Sequence, residues 1–81
     1  MISGKQIRAA RALLNWSQQA LADRAIVSGN AVARLERGQS DSRSSTLQAL
    51  ERALVGAGIE FLPPSNGKGE GVRLASDERV R

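Results

Sequence analysis

Three side-chain types carry the chemistry open to this chain: arginine, asparagine and glutamine. Of its twelve basic residues ten are Arg, with Lys5 and Lys68 the only lysines. A guanidinium is planar, always charged and forked, so it suits bidentate contact with phosphate oxygens or with a guanine edge. The carboxamides of Asn and Gln both donate and accept. What is missing narrows the field further. The 81 residues include no His, no Cys and no Tyr. Without His the usual acid–base residue is absent, and the many serines have no imidazole to activate them. The common transition-metal ligands are gone as well; only Asp and Glu are left, suited to a hard cation, and they form no cluster. A disulfide framework is excluded, and the lack of Cys fits a reducing compartment. The sequence predicts a non-enzyme with no catalytic residue, no metal and no cofactor.

The charge is unevenly spread. The net value is +4, with a pI near 11.1. Residues 1–43 hold Lys5, Arg8, Arg11, Arg24, Arg34, Arg37 and Arg43 against Asp23, Glu36 and Asp41, which accounts for the whole surplus. Residues 44–62 sum to −1 and residues 63–81 to +1. A basic half beside a nearly neutral one is the footprint of a nucleic-acid face. One Trp and one Phe do not make a stacking platform, which counts against single-stranded nucleic acid or RNA. Glu36 reads as a surface partner for nearby arginines, worth roughly a few tenths of a kcal/mol.

The elements that must hold these side chains follow from caps and periodicity. Ser3-Gly4-Lys5-Gln6 is a capping box opening a helix from Gly4 to Leu14, with Ile7, Ala10, Leu13 and Leu14 on its apolar face and a stop near Asn15. Ser17 caps a short second helix, Gln18 to about Arg24, with Leu21 and Ala25 pointing inward. Trp16 is placed as packing where these two helices meet. Ser28 caps a third helix that buries Val32 and Leu35 and stops at Gly38. After a polar loop over residues 39–44, Ser45-Thr46-Leu47-Gln48 repeats the capping box, with Ser45 as its cap. It opens a fourth helix carrying Leu47, Leu50 and Leu54 and ending near Gly56 or Gly58. The period then changes: Ile59–Leu62 and Val72–Leu74 read as short strands of a hairpin, joined by the turn-rich stretch Pro63–Gly71. Gly67-Lys68-Gly69-Glu70-Gly71 meets no phosphate-loop spacing and is read as turn. The division is 1–58 for the helical domain, 59–74 for the hairpin and 75–81 for a flexible tail. Fold class is mainly α, four helices with a C-terminal β-hairpin.

Two short helices, each opened by a serine and joined across Ala25-Ile26-Val27, have the layout of a helix-turn-helix. The string Trp16-Ser17-Gln18-Gln19-Ala20-Leu21-Ala22, then Val27-Ser28, then Val32-Ala33-Arg34-Leu35-Glu36-Arg37-Gly38, resembles the phage repressor/Cro-like (XRE) family. The likeness spans about Gly4 to Gly58, and the hairpin is similar to a strand-turn-strand extension of some small bacterial members. The resemblance implies a four-helix repressor-like core. It also implies a DNA-binding transcriptional regulator, dimeric on a palindromic operator and cytoplasmic, nucleoid-associated when bound. No signal-peptide-like or membrane-length apolar run argues otherwise. For the same reason the glycosylation sequon Asn15-Trp16-Ser17 is taken as chance.

Helix-turn-helix docking, taken with the resemblance, assigns the roles. Ser28, Gly29, Asn30, Ala33 and Arg34 face the bases. Asn30 suits adenine, Arg34 guanine, and the Ala33 methyl a thymine methyl. Gln18, Arg37 and Arg43 match family positions that hold phosphate; Lys5, Arg8 and Arg11 are weaker candidates. Members commonly carry Gly in the turn where this chain has Ile26. A β-branched residue resists positive φ, so a turn rebuilt with negative φ is expected. The partners are double-stranded DNA and a second copy of the chain. Ile59, Phe61, Val72 and Leu74 of the hairpin either make the dimer or cap their own core. The rival readings are an antitoxin, which would also bind a partner toxin, and a protein-binding adaptor on the same fold.

Overall fold

Three serines start three helices. In the computed structural model, which describes residues 2–39 and 44–77, α1 spans Gly4–Leu14, α2 Gln18–Ala25, α3 Gly29–Glu36 and α4 Ser44–Gly56. The hydroxyls of Ser3, Ser17 and Ser28 accept the backbone N–H three residues on, from Gln6, Ala20 and Ala31. At Ser3 the box is complete, because the Gln6 side chain accepts the Ser3 N–H in return at 2.9 Å. Ser45 is different. Helix α4 already begins at Ser44, so Ser45 is a first-turn residue and not the cap. The expected phosphate contact Arg43, and residues 78–81 of the expected tail, lie outside the described residues.

The helix ends close on left-handed residues, and one of them overturns an expectation. Asn15 (φ 59) ends α1 and Gly38 (φ 82) follows α3, both residue types that accept this conformation. At the end of α2 the same role falls to Ile26, with φ 58 and ψ 49. The turn is therefore not rebuilt with negative φ. The gain is local: the Ile26 N–H reaches Asp23 O at 3.4 Å and the Val27 N–H reaches Ala22 O at 3.0 Å. The side chain meets little, being 90% exposed. A left-handed backbone costs about 1–2 kcal/mol for an ordinary residue, and the satisfied carbonyls offset it.

The core collects one face of each helix, Ile7, Ala10, Leu21, Ala22, Val32, Leu35, Leu50 and Leu54, together with Ile2 and Ile59. Helix α2 packs on α3 and α4, and α1 touches α3 and α4. Leu13, expected on the buried face, is 43% exposed. It lies two turns beyond Gln6 on the same flank of α1, at the margin of the apolar stripe. Gly4 lets α1 meet α3 backbone to backbone. A Cβ at Gly4 would lie 1.9 Å from Leu35 O, so the hydrogen standing in its place points at that carbonyl.

Strands β1 (Ile59–Leu62) and β2 (Gly71–Leu74) pair antiparallel, with Ile59 opposite Leu74 and Phe61 opposite Val72. Their link is a nested tight turn: Asn66 and Gly67 both have positive φ, and Ser65 and Lys68 exchange backbone bonds across them. Asn-Gly with two positive φ values matches the twist of a hairpin. The ladder also runs one residue into the expected tail, because the Ala75 N–H donates to Gly58 O at 2.7 Å. The hairpin lies on the helices, β2 on α1 and β1 on α4. Ile59 joins the core, and Phe61, Val72 and Leu74 pack against it partly buried. The seat is polar: the buried Gln6 amide donates to Leu62 O at 3.3 Å and Gly71 O at 3.0 Å. Among the described residues no helix is long and apolar enough to cross a membrane.

Two substitutions test these backbone readings by thermal or chemical denaturation. Gly4→Ala drives a Cβ into a carbonyl and should cost about 3 kcal/mol. Ile26→Gly should instead stabilise the protein, by about 0.5–1 kcal/mol, because relief of strain exceeds the added chain entropy of glycine.

Candidate nucleic-acid interface

The first turns of α2 and α3 stand side by side because each is capped and α2 packs on α3. Between them opens a hollow of about 430 Å³ lined by Gln18, Gln19, Ser28, Gly29, Asn30 and Ala33. Five of the residues expected to face DNA are thus brought together. Arg34 and Arg37 are exposed on α3 and just after it, outside this lining. Backbone N–H groups add to the site. The cap serines serve the N–H groups of Ala20 and Ala31 and leave those ahead of them, at Gln18, Gln19, Gly29 and Asn30, without a helical acceptor. Helix N-termini with free N–H groups attract phosphate.

Gln19 is a lining residue that sequence reasoning missed. Its amide donates to Asp23 at 2.8 Å, and its carbonyl oxygen fills the space over Gly29, where a Cβ would sit 2.8 Å away. Gly29 therefore has a packing reason: it admits the Gln19 side chain between α2 and α3. The sole sequence signal was the paired carboxamide Gln18-Gln19 ahead of a helix that also starts with glycine.

The site is held from behind by a carboxylate. Glu36 was expected as a surface charge; its side chain is 1% exposed. The Arg11 guanidinium grips it from α1 through Nε to Oε2 at 2.6 Å and Nη2 to Oε1 at 2.8 Å. A third nitrogen of Arg11 donates to Trp16 O, the carbonyl just before α2, at 2.9 Å. Gln18 adds its amide to Glu36 Oε1 at 3.1 Å, and Arg8 lies 3.7 Å from the same oxygen. Burial pushes the Glu36 carboxyl up, but these donors outweigh it and hold it below the ordinary carboxylate range. The hydrogen bond to Glu36 raises Arg11 in turn. Arg11 is thus a positioning residue, and the Gln18 amide is half committed, with one hydrogen and its carbonyl left for a ligand. Trp16 is partly buried against the core, and the Arg24 guanidinium lies 4.3 Å from its ring centre.

Lys5 and Arg37 share a second hollow with Ser3, Gly4, Gly38 and Glu70, where α1 begins and α3 ends. Glu70 reaches in from the hairpin loop and accepts the Ser3 hydroxyl.

Residues 7–54 match the helix-turn-helix family model. The chain belongs to the helix-turn-helix family. A solved structure with the same arrangement is the DNA-binding domain of the phage P22 c2 repressor, determined by nuclear magnetic resonance in solution. That domain is 34% identical, with a TM-score of 0.59, over 68% of this chain and 72% of that one. This helix-turn-helix protein is therefore of the phage repressor/Cro-like type, as its sequence strings implied. No curated protein matches it at the same stringency.

Glu36 gives the interface a pH signature. A carboxyl whose folded-state pKa is depressed stabilises fully above its unfolded value, about 4.3, and that stability is lost as the pH falls through the lower folded value. Glu36→Gln should cost about 3 kcal/mol at neutral pH, measured by denaturant unfolding. The gap between wild type and variant should narrow as the pH falls below about 4.

Proposed function

We propose that this protein is a sequence-specific regulator of transcription that occupies double-stranded operator DNA. The observation that carries the reading is the shared hollow at the starts of α2 and α3, within a helix-turn-helix chain. Its walls offer carboxamides, a hydroxyl, small side chains and free backbone N–H groups, which suit base edges and phosphates and leave no acid–base pair for catalysis. In this reading α3 enters the major groove and α2 spans the backbone. Asn30 pairs with adenine, Arg34 reads guanine, and Ser28, Gly29 and Ala33 set how closely α3 approaches. The start of α2 at Gln18 holds a phosphate, as do Arg37 and Arg43.

The protein acts as a symmetric dimer on a palindromic site. One such module reads few base pairs, and two-fold doubling extends the sequence without a larger fold. The DNA-binding function named for the P22 c2 domain supports the DNA-binding part of this reading.

Binding titrations on a promoter fragment at several salt concentrations separate the roles. Arg37→Ala should weaken all sequences alike and flatten the slope of log affinity against log salt by about one unit. Arg34→Ala should instead relax preference at one base pair, by about 1–3 kcal/mol. Unchanged binding by the double variant at physiological salt would replace the operator reading with that of a protein-binding adaptor.

A further inference from the structure

In the operator reading α3 enters the major groove by its N-terminal end, yet its first residue, Gly29, has no side chain to present. The space it leaves is not empty. The carboxamide of Gln19 reaches across from the first turn of α2, and its Oε1 lies 2.8 Å from where a Cβ at Gly29 would stand. Gln19 is also held in a definite sense. Its Nε2 donates to the Asp23 carboxylate, one turn along α2, at 2.8 Å. A carboxylate only accepts, so the nitrogen faces Asp23 and the oxygen faces α3. Among the described residues no donor reaches that oxygen, and Asp23 takes one of the two amide hydrogens. A free acceptor and a free donor therefore remain on one planar group, in the hollow shared with Ser28, Asn30 and Ala33. Core packing does not call for this arrangement. Gln19 is exposed, and a Gln–Asp pair one turn apart on a helix surface is a weak stabiliser.

We propose that Gln19 is a base-reading residue supplied by α2, seated over Gly29 so that its carboxamide stands in for the side chain that the first position of α3 lacks. The inference rests on the operator reading and deepens it. The base selected is adenine. Its major-groove edge sets an N7 acceptor beside an N6 amino donor, which matches a carboxamide with one donor and one acceptor free. Gly29 and Gln19 form a matched pair, because any side chain at position 29 would occupy the place of the Gln19 oxygen. That oxygen is the far end of a flexible side chain, so a methyl at position 29 pushes it aside and leaves the two helices where they are. Asp23 is a positioning residue: its bond keeps the amide from turning over.

Selection from a library of double-stranded oligonucleotides with a randomised core, followed by titration of every single-base-pair variant of the selected site, tests this. Thermal unfolding confirms that each variant protein folds, since Gln19, Asp23 and Gly29 all lie outside the hydrophobic core. The wild type should prefer adenine at one base pair where Gln19→Ala loses about tenfold or more of the discrimination, while preferences elsewhere in the site are kept. Gly29→Ala should lose the same preference although Gln19 is still present, and the double variant should lose no more than either single one. Gln19→Glu should move the preference to cytosine, whose N4 donates to a carboxylate. Asp23→Ala should weaken discrimination at that base pair alone. Uniform weakening of all sequences by Gln19→Ala, with a flatter salt slope, would make Gln19 a phosphate contact and overturn the inference. Losses that add in the double variant would overturn it too. Specificity that survives Gln19→Ala intact sinks the inference and leaves the operator reading standing, whereas a wild type that enriches no sequence sinks both.

Discussion

One buried carboxylate sets the relation between the parts of this protein that matter. Glu36 sits at the last turn of α3, and almost none of its side chain reaches water. An ion in such a place is tolerable only if its lone pairs are filled. They are filled from α1 by Arg11 and from the first residue of α2 by Gln18, while Arg11 also holds the carbonyl that leads into α2. The angle and offset of the two helices bordering the hollow are thereby tied to α1. Hydrophobic packing alone is non-directional and would accept small slides of one helix on another. Charge-assisted bonds of fixed geometry do not accept them.

The second constraint is close backbone approach. Gly4 brings the start of α1 against the end of α3, so the positive end of one helix dipole faces the negative end of the other. The hairpin then packs on α1 through β2. These two contacts make α1, none of whose residues lines the hollow at the starts of α2 and α3, the link between α3 and the hairpin. Helix α2 is the main seat of α3 and α4, and α1 links α3, α4 and β2.

Much of this was legible in the sequence where the signal is local. The serine caps at Ser3, Ser17 and Ser28 act within three residues, and each helix begins where its serine places it. The strands were legible for the same reason, as was the stop at Gly38. Helix-turn-helix geometry dictates which positions of α3 are presented, so Ser28, Gly29, Asn30 and Ala33 were expected on one face and line one hollow, while Arg34, expected with them, lies outside it. What failed was long-range. Glu36 scores as a surface residue until Arg11, twenty-five positions away, is known to face it. Gly4 reads as an ordinary first-turn residue until Leu35 arrives above it. Ile26 was misjudged because its side-chain penalty is visible in the sequence, while the two carbonyls it satisfies and the open solvent around it are not.

The Gln6 side chain carries one last consequence. Its oxygen holds the N–H of Ser3 and its nitrogen holds two carbonyls of the hairpin, and both atoms belong to one rigid planar group. Swinging the amide to release the hairpin also gives up the reciprocal half of the capping box, while the Ser3 hydroxyl keeps the Gln6 N–H. The hairpin and the first turn of α1, more than fifty residues apart, thus share one hydrogen-bonding group.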